Sequence, residues 1–212
     1  MPANLATVTS MAQVHILADG TRVLVRPLLP SDRAELAARY EQLSPASRRR
    51  RFFGTPDRLS EHVLDYLTNL DYRTHFAWAA FGIDEPDSPG IAVARYICDH
   101  RDATNAEIAV TVLDRYQHRG LGTLLTQLLA DVAVRNGVRS FVSYVLWENA
   151  DAVARLRAEG ARISPAEPGM ARIEIDLPAP PDTVPDTTVH PILCAVADGV
   201  HQLLARLHDL ER

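Results

Sequence analysis

Apolar and polar positions alternate through "VHILADGTRVLVRPLLPSD" on both sides of Asp19-Gly20. That period is the one of a half-buried strand, and Asp-Gly between two such runs signals a hairpin, here with a second strand ending at Pro27 or Pro30. Ser31-Asp32 then offers an N-cap to "RAELAARYEQL", where Leu36, Tyr40 and Leu43 fall at helical spacing. A second short helix is expected from Ser44-Pro45 through "ASRRRRFF", and a third from Ser60 to Leu70. Three strands follow, "THFAWAAFGI", "GIAVARYICD" and "AEIAVTVL", separated by the turn-rich "DEPDSPG" and by "HRDATN".

Beyond them the period changes to that of a helix. Leu121, Leu124, Leu125, Leu128, Leu129, Val132 and Ala133 fall at i, i+3, i+4, i+7, i+8, i+11 and i+12, and Asn136-Gly137 closes the pattern. "RSFVSYVLW" reads as a strand, Asn149 to Glu159 as a helix, and "ARIEIDL" as a last strand. The order describes a mixed α/β (α+β) domain on one sheet. It occupies residues 14–177, after a flexible N-terminus at 1–13. "PAPPDTVPDTTVHP" then reads as a semi-extended linker over 178–191. In the last segment, 192–212, Leu193, Val196, Val200, Leu203, Leu207 and Leu210 line one face of an amphipathic helix. This stripe needs a partner, and its near-heptad spacing favours a homodimeric contact over docking on its own domain.

Composition narrows the functions. The net charge of −5 argues against bulk binding of nucleic acid. No run reaches the roughly 18 apolar residues of a membrane span, and the N-terminus has no basic patch followed by an apolar core, so a cytoplasmic protein without a membrane partner is expected. Cys98 and Cys194 stand apart, and His75, His100 and His118 lack ligand spacing, so no metal site is expected. All 22 basic residues are arginine. Arg48–Arg51 points to every side of its helix, which fits a solvated or ion-paired face, or the rim of a site, better than a nucleic-acid groove.

The candidate chemistry lies in "DRYQHRGLGT", where a strand gives way to the long helix. Gln117, His118, Arg119, Gly120, Leu121, Gly122 and Thr123 place bare backbone and a cation at a helix N-terminus, a cradle for a pyrophosphate. Read more plainly, the glycines permit a tight strand-to-helix turn. A Rossmann site would want a parallel βαβ unit with Gly-x-Gly-x-x-Gly, which is absent from this sequence.

The stretch from "AEIAVTVLDRYQHRGLGT" to "ENADAVARLRAEGARI" resembles the core of the GNAT superfamily of N-acetyltransferases. With "GTRVLVRPLLPSD" and "LSPASRRRRFFG" upstream, the chain is similar to the acetyltransferase domain of bacterial Pat-type protein lysine acetyltransferases. The resemblance implies a mixed, mostly antiparallel central sheet with flanking helices and acetyl-CoA as co-substrate. It also implies that the strands flanking the loop splay apart to admit the pantetheine. Val110 and Val112 would offer backbone groups to that arm and the thioester, Gln117 through Thr123 would hold the pyrophosphate, and Asn149 would touch the cofactor near its thiol. Glu107 shares one side of its strand with Ala109 and Thr111, and the Pat-type enzymes carry a glutamate at the matching position. There a carboxylate can take the proton from an amine whose pKa is near ~10.4; read otherwise, Glu107 is a solvated strand-end residue. The family's tyrosine, seven residues after the asparagine, is Leu156 here; Tyr144 on the adjoining strand is the nearest alternative, and nothing in the sequence aims it. The expected activity is acetyl transfer to a primary amine, a protein lysine first, a small-molecule amine second, with an acetyl-CoA-binding regulatory protein of weak turnover as the reading from another class.

Overall fold

The computed structural model describes residues 8–52, 57–147, 150–158 and 160–178. Among the described residues eight strands form one sheet: β1 (Gln13–Ile16), β2 (Arg22–Pro27), β3 (His75–Gly82), β4 (Gly90–Cys98), β5 (Asn105–Val112), β6 (Ser140–Leu146), β7 (Arg162–Pro165) and β8 (Met170–Asp176). Their spatial order is β1-β2-β3-β4-β5-β6-β8-β7. The hairpin at Asp19-Gly20 forms as expected. Gly20 takes φ +85°, and the Asp19 carboxylate accepts the Thr21 N–H at 3.0 Å. Every neighbouring pair is antiparallel except β5 and β6. Those two are parallel because a helix carries the chain across between them, so a parallel βαβ unit is present against the sequence expectation, and only the Gly-x-Gly-x-x-Gly spacing of a Rossmann site is missing.

The helices are α1 (Arg33–Glu41), α2 (Pro45–Phe52), α3 (Glu61–Thr68), α4 (Leu121–Arg135) and α5 (Ala150–Ala158). On one face of the sheet, Leu121, Leu125 and Leu129 of α4 are sealed against Ile108 and Val110 of β5, in a core shared with Phe141, Val145, Ile173 and Ile175. This is the stripe that the sequence displays, and each such leucine contributes about 1.5–3 kcal/mol by burial. Leu156 of α5 lies in the same core, 1% exposed. On the opposite face, Val63 and Leu67 of α3 pack on Ile97 and Ala109, with Leu36 of α1 beside them. Beyond β5 that second face turns polar, because Tyr144, Arg172, Glu174 and Arg162 stand in register across β6, β8 and β7.

Three local expectations need correction. Asp32 does not cap α1. It closes a 3-10 turn over Pro30–Asp32 and grips Arg26 with both oxygens at 2.7 and 2.8 Å, an ion pair that draws the carboxylate away from the helix N–H groups. The packed domain also begins before residue 14, since Val8 is buried in the main core and Met11 packs against it. Finally, β7 escaped the pattern. It is a four-residue edge strand, largely exposed and ending in proline, with no buried alternation to reveal it. The linker at 178–191 lies almost wholly, and the C-terminal helix entirely, outside the described residues.

Candidate active site

The central feature is a wedge between β5 and β6. β4 accompanies β5 from Ala106 to Val112, whereas the β6 register consists of Asn105↔Ser140, Ala106↔Phe141 and Glu107↔Val142 and stops there. Leu113 N–H bonds Ile91 O at 2.9 Å, so odd-numbered backbone groups at this end of β5 point to β4. Even-numbered groups point the other way. The N–H and C=O of Val110 and Val112 therefore face the wedge, where no β6 residue stands opposite them. The Gln117 amide already occupies the Val112 carbonyl at 3.0 Å, so what the opening offers an extended chain bearing amides is the N–H and C=O of Val110 and the N–H of Val112.

Downstream of β5 the chain makes a 3-10 turn over Asp114–Tyr116 and enters the loop at Gln117. His118 at φ +61° and Gly120 at φ +82° reverse the backbone so that α4 starts at Leu121. The first N–H groups of a helix have no intrahelical acceptors, which is where an anion gains most. A Cβ at Gly120 would meet nothing within 4 Å, so the surface there is open. Two side chains of the loop are committed elsewhere. Gln117 donates to the Val112 carbonyl at 3.0 Å, closing the loop on the strand end, and Arg119 donates to Asp19 at 3.2 Å and to the Arg115 carbonyl at 2.9 Å. In this arrangement the loop offers an anion mainly backbone dipoles, and the Arg119 charge is balanced on the hairpin turn.

Asp114 fixes the loop to the helical layer. Its carboxylate accepts the Ser44 N–H at 3.0 Å, the Ser44 hydroxyl at 2.9 Å and the Ser47 hydroxyl at 2.8 Å. Burial alone would raise this carboxyl, but the bonds from Ser44 and Ser47 outweigh it and hold it below the ordinary carboxylate range. The resulting stabilisation is complete above the unfolded value of about 3.9 and disappears as pH falls through the lower folded value. Asp114→Asn should thus cost about 1 kcal/mol at pH 7 after allowance for solvent screening, a drop of about 2–4 °C in melting temperature. Melting curves of the two proteins should converge as pH falls through that lower folded value.

Glu107 is the third residue of β5 and the last with a register partner on β6. It is half-buried on the face carrying α1 and α3. Tyr144, two residues beyond Val142, shares that face and is also half-buried; burial first, and the Glu107 charge second, push its phenol up. One further group went unread in the sequence. Arg95 is 1% exposed, donates to the Leu67 carbonyl at 3.0 Å and lies 3.1 Å from His75 Nε2. Its signal was present as a lone arginine inside the apolar run "AVARYIC". Arg95 also lines a mainly apolar cavity of about 70 Å3 with Leu36, Tyr40, Leu67, Phe81 and Thr111. Arg48, from the arginine run, donates to the carbonyls of Leu43 and Glu41 and ties off the end of α1. Asn149 lies outside the described residues. Among the described residues no group of three His, Cys, Asp or Glu could hold a metal, and no helix is long and apolar enough to cross a membrane.

A mixed sheet that splits beside a glycine loop at a helix N-terminus defines an acetyltransferase of the GNAT fold, and the chain belongs to that family: the acetyltransferase (GNAT) domain matches residues 22–162. Within the family its similarity is to the Pat acetyltransferases. It is 34% identical to the acetyltransferase Pat of Mycolicibacterium smegmatis over 76% of this chain and 47% of that one, so it spans about half of that relative's length. An acetyltransferase of Pseudomonas aeruginosa is 37% identical over 61% of this chain and 69% of its own. The GNAT domain of S. lividans PAT superposes with a TM-score of 0.69 at 30% identity, covering 79% of this chain and 98% of that domain.

Proposed function

We propose that this chain moves acetyl from acetyl-CoA to a primary amine, foremost a lysine of another protein, by direct attack in a ternary complex. The observation that carries the reading is the wedge, with Val110 and Val112 aimed into it and Glu107 at its closed end on the face of α1 and α3. The pantetheine would lie along β5, with the pyrophosphate on the backbone of Gln117–Thr123 and the thioester carbonyl near the Val110 N–H. Glu107, directly or through a water, takes the ammonium proton; the free amine attacks the carbonyl carbon. Asn149 is assigned the thiol end of the cofactor by family resemblance alone. The polar, half-exposed face of β6, β8 and β7 beside Glu107 gives a protein surface room to approach.

The apolar cavity beneath α1 favours a second reading, a small amine whose hydrocarbon arm enters it. Transfer assays on lysine peptides against polyamines and aminoglycosides separate the two. The buried Leu156 supports a third, an acetyl-CoA-binding protein of weak turnover, which binding without CoA release would mark.

Because the chain contains no lysine, incubation with acetyl-CoA alone should leave no ε-acetyl mark on it. Intact-mass spectra with several stoichiometric acetyl additions would contradict this. The C-terminal stripe from Leu193 to Leu210 is assigned to a homodimeric contact. Ending the chain at Asp182 should abolish the dimer in sedimentation while acetyl-CoA binding persists, and a full-length protein monomeric at tens of micromolar would refute the assignment.

A further inference from the structure

Among the described residues three large apolar side chains stand exposed: Val14 and Ile16 on β1, and Trp147 at 39%. Isolated apolar residues on a surface are ordinary, so place decides what each one means. β1 is an edge of the sheet, separated from the wedge by β2, β3 and β4. Trp147 stands at the wedge itself. Glu107↔Val142 is the last register pair between β5 and β6; counted on equally from it, one wall ends at Val112 and the other reaches Trp147. The Trp147 N–H donates to the Gly169 carbonyl at 2.9 Å, which ties this end of the β6 wall to the start of β8.

Alternation sets the face. Phe141, Ser143 and Val145 of β6 are buried on the side of the sheet that carries α4, and position 147 continues their series just past the strand end. Phe141 and Val145 are sealed in the core, whereas Trp147 is open to solvent, because the core ends where the wedge opens. Across that mouth lies the Gln117–Thr123 loop, from which α4 starts on the same face.

Acetyl-CoA carries its groups in a fixed order: thioester, two amides, pyrophosphate, then adenosine with its 3′-phosphate. With the thioester at Val110 and the pyrophosphate on the loop, the nucleoside is the part left outside the wedge, on the α4 side of its mouth. The loop side has no open ring to hold it, since Tyr116 is buried and Arg119 is engaged by Asp19. An exposed indole supplies a flat face on which a purine can stack.

We infer that Trp147 is the adenine platform of this chain, a binding residue on which the base of acetyl-CoA stacks, setting affinity for the nucleotide end without a part in the chemistry. The inference rests on acetyl-CoA occupying the wedge but not on the identity of the acceptor.

Indole fluorescence reads the contact directly. The chain has two tryptophans, and Trp78 is 2% exposed, so a ligand that quenches from the surface reports on Trp147. Acetyl-CoA and adenosine 3′,5′-bisphosphate should both quench the parent, and S-acetyl-pantetheine, which lacks the nucleotide, should not. Trp147→Ala should raise the Kd for acetyl-CoA about tenfold by calorimetry, and Trp147→Phe, which keeps an aromatic face, should restore most of the affinity. The thermal shift given by millimolar S-acetyl-pantetheine should be the same in all three proteins, as should the melting temperature without ligand, because the side chain lies at the surface. Unchanged acetyl-CoA affinity in Trp147→Ala overturns the assignment. An equal loss for S-acetyl-pantetheine also overturns it, by placing the indole on the pantetheine arm. A parent with no affinity for acetyl-CoA would remove the reading of the wedge and this inference together, a result distinct from the other two.

Discussion

Replacing Glu107 by glutamine is expected to lower turnover by about two orders of magnitude near pH 7 and to leave acetyl-CoA affinity nearly unchanged. The side chain keeps its volume and its place on β5 while losing the carboxylate proposed to accept the amine proton. An amine near pKa ~10.4 is almost wholly protonated at pH 7. Residual activity should therefore climb as pH rises and the substrate deprotonates in solution, and the ratio of parent to variant should shrink in step. A stopped assay of CoA release from pH 6 to 10 reads this directly. Equal rates near neutrality would hand the proton to water or to another group.

The second large effect is expected at Gly120. The open space around it leaves room for a larger residue, but φ +82° restricts the choice, and among L-residues aspartate and asparagine tolerate that region best. Gly120→Asp should therefore fold while placing a carboxylate where the pyrophosphate is to bind. Acetyl-CoA at a hundredfold excess over its dissociation constant should stabilise the parent by about 2.7 kcal/mol. The aspartate variant should show almost none of this shift, whereas Gly120→Asn, which shares the backbone demand without the charge, should keep much of it. If all three proteins respond alike, the phosphate lies elsewhere.

Periodicity made much of the fold legible. The α4 stripe and the alternation of β2 and β8 record which positions meet a core. What stayed hidden lacked a buried period or depended on neighbours remote in sequence. β7 is too short and too exposed to carry an alternation, and Asp32 looked like a cap because the Arg26 that captures it lies across a turn. The site divided in the same way. Its loop could be placed from spacing and composition, and the divergence of β5 from β6 was implied by family resemblance, since nothing in "AEIAVTVL" says where a partner strand stops. Arg119 looked like a free cation because Asp19 is 100 positions away.

A strand that parts from its neighbour halfway leaves an edge inside the sheet rather than at its rim. Without cofactor, the β6-facing N–H and C=O of Val110 and the N–H of Val112 amount to a short pairing template, and an exposed template of that kind invites another chain. Acetyl-CoA would then act structurally as a ninth, borrowed strand. Occupancy by the cofactor should slow amide exchange at Val110 and suppress self-association on storage or heating. The concentration of acetyl-CoA would in this way govern how long the protein survives as well as how fast it works.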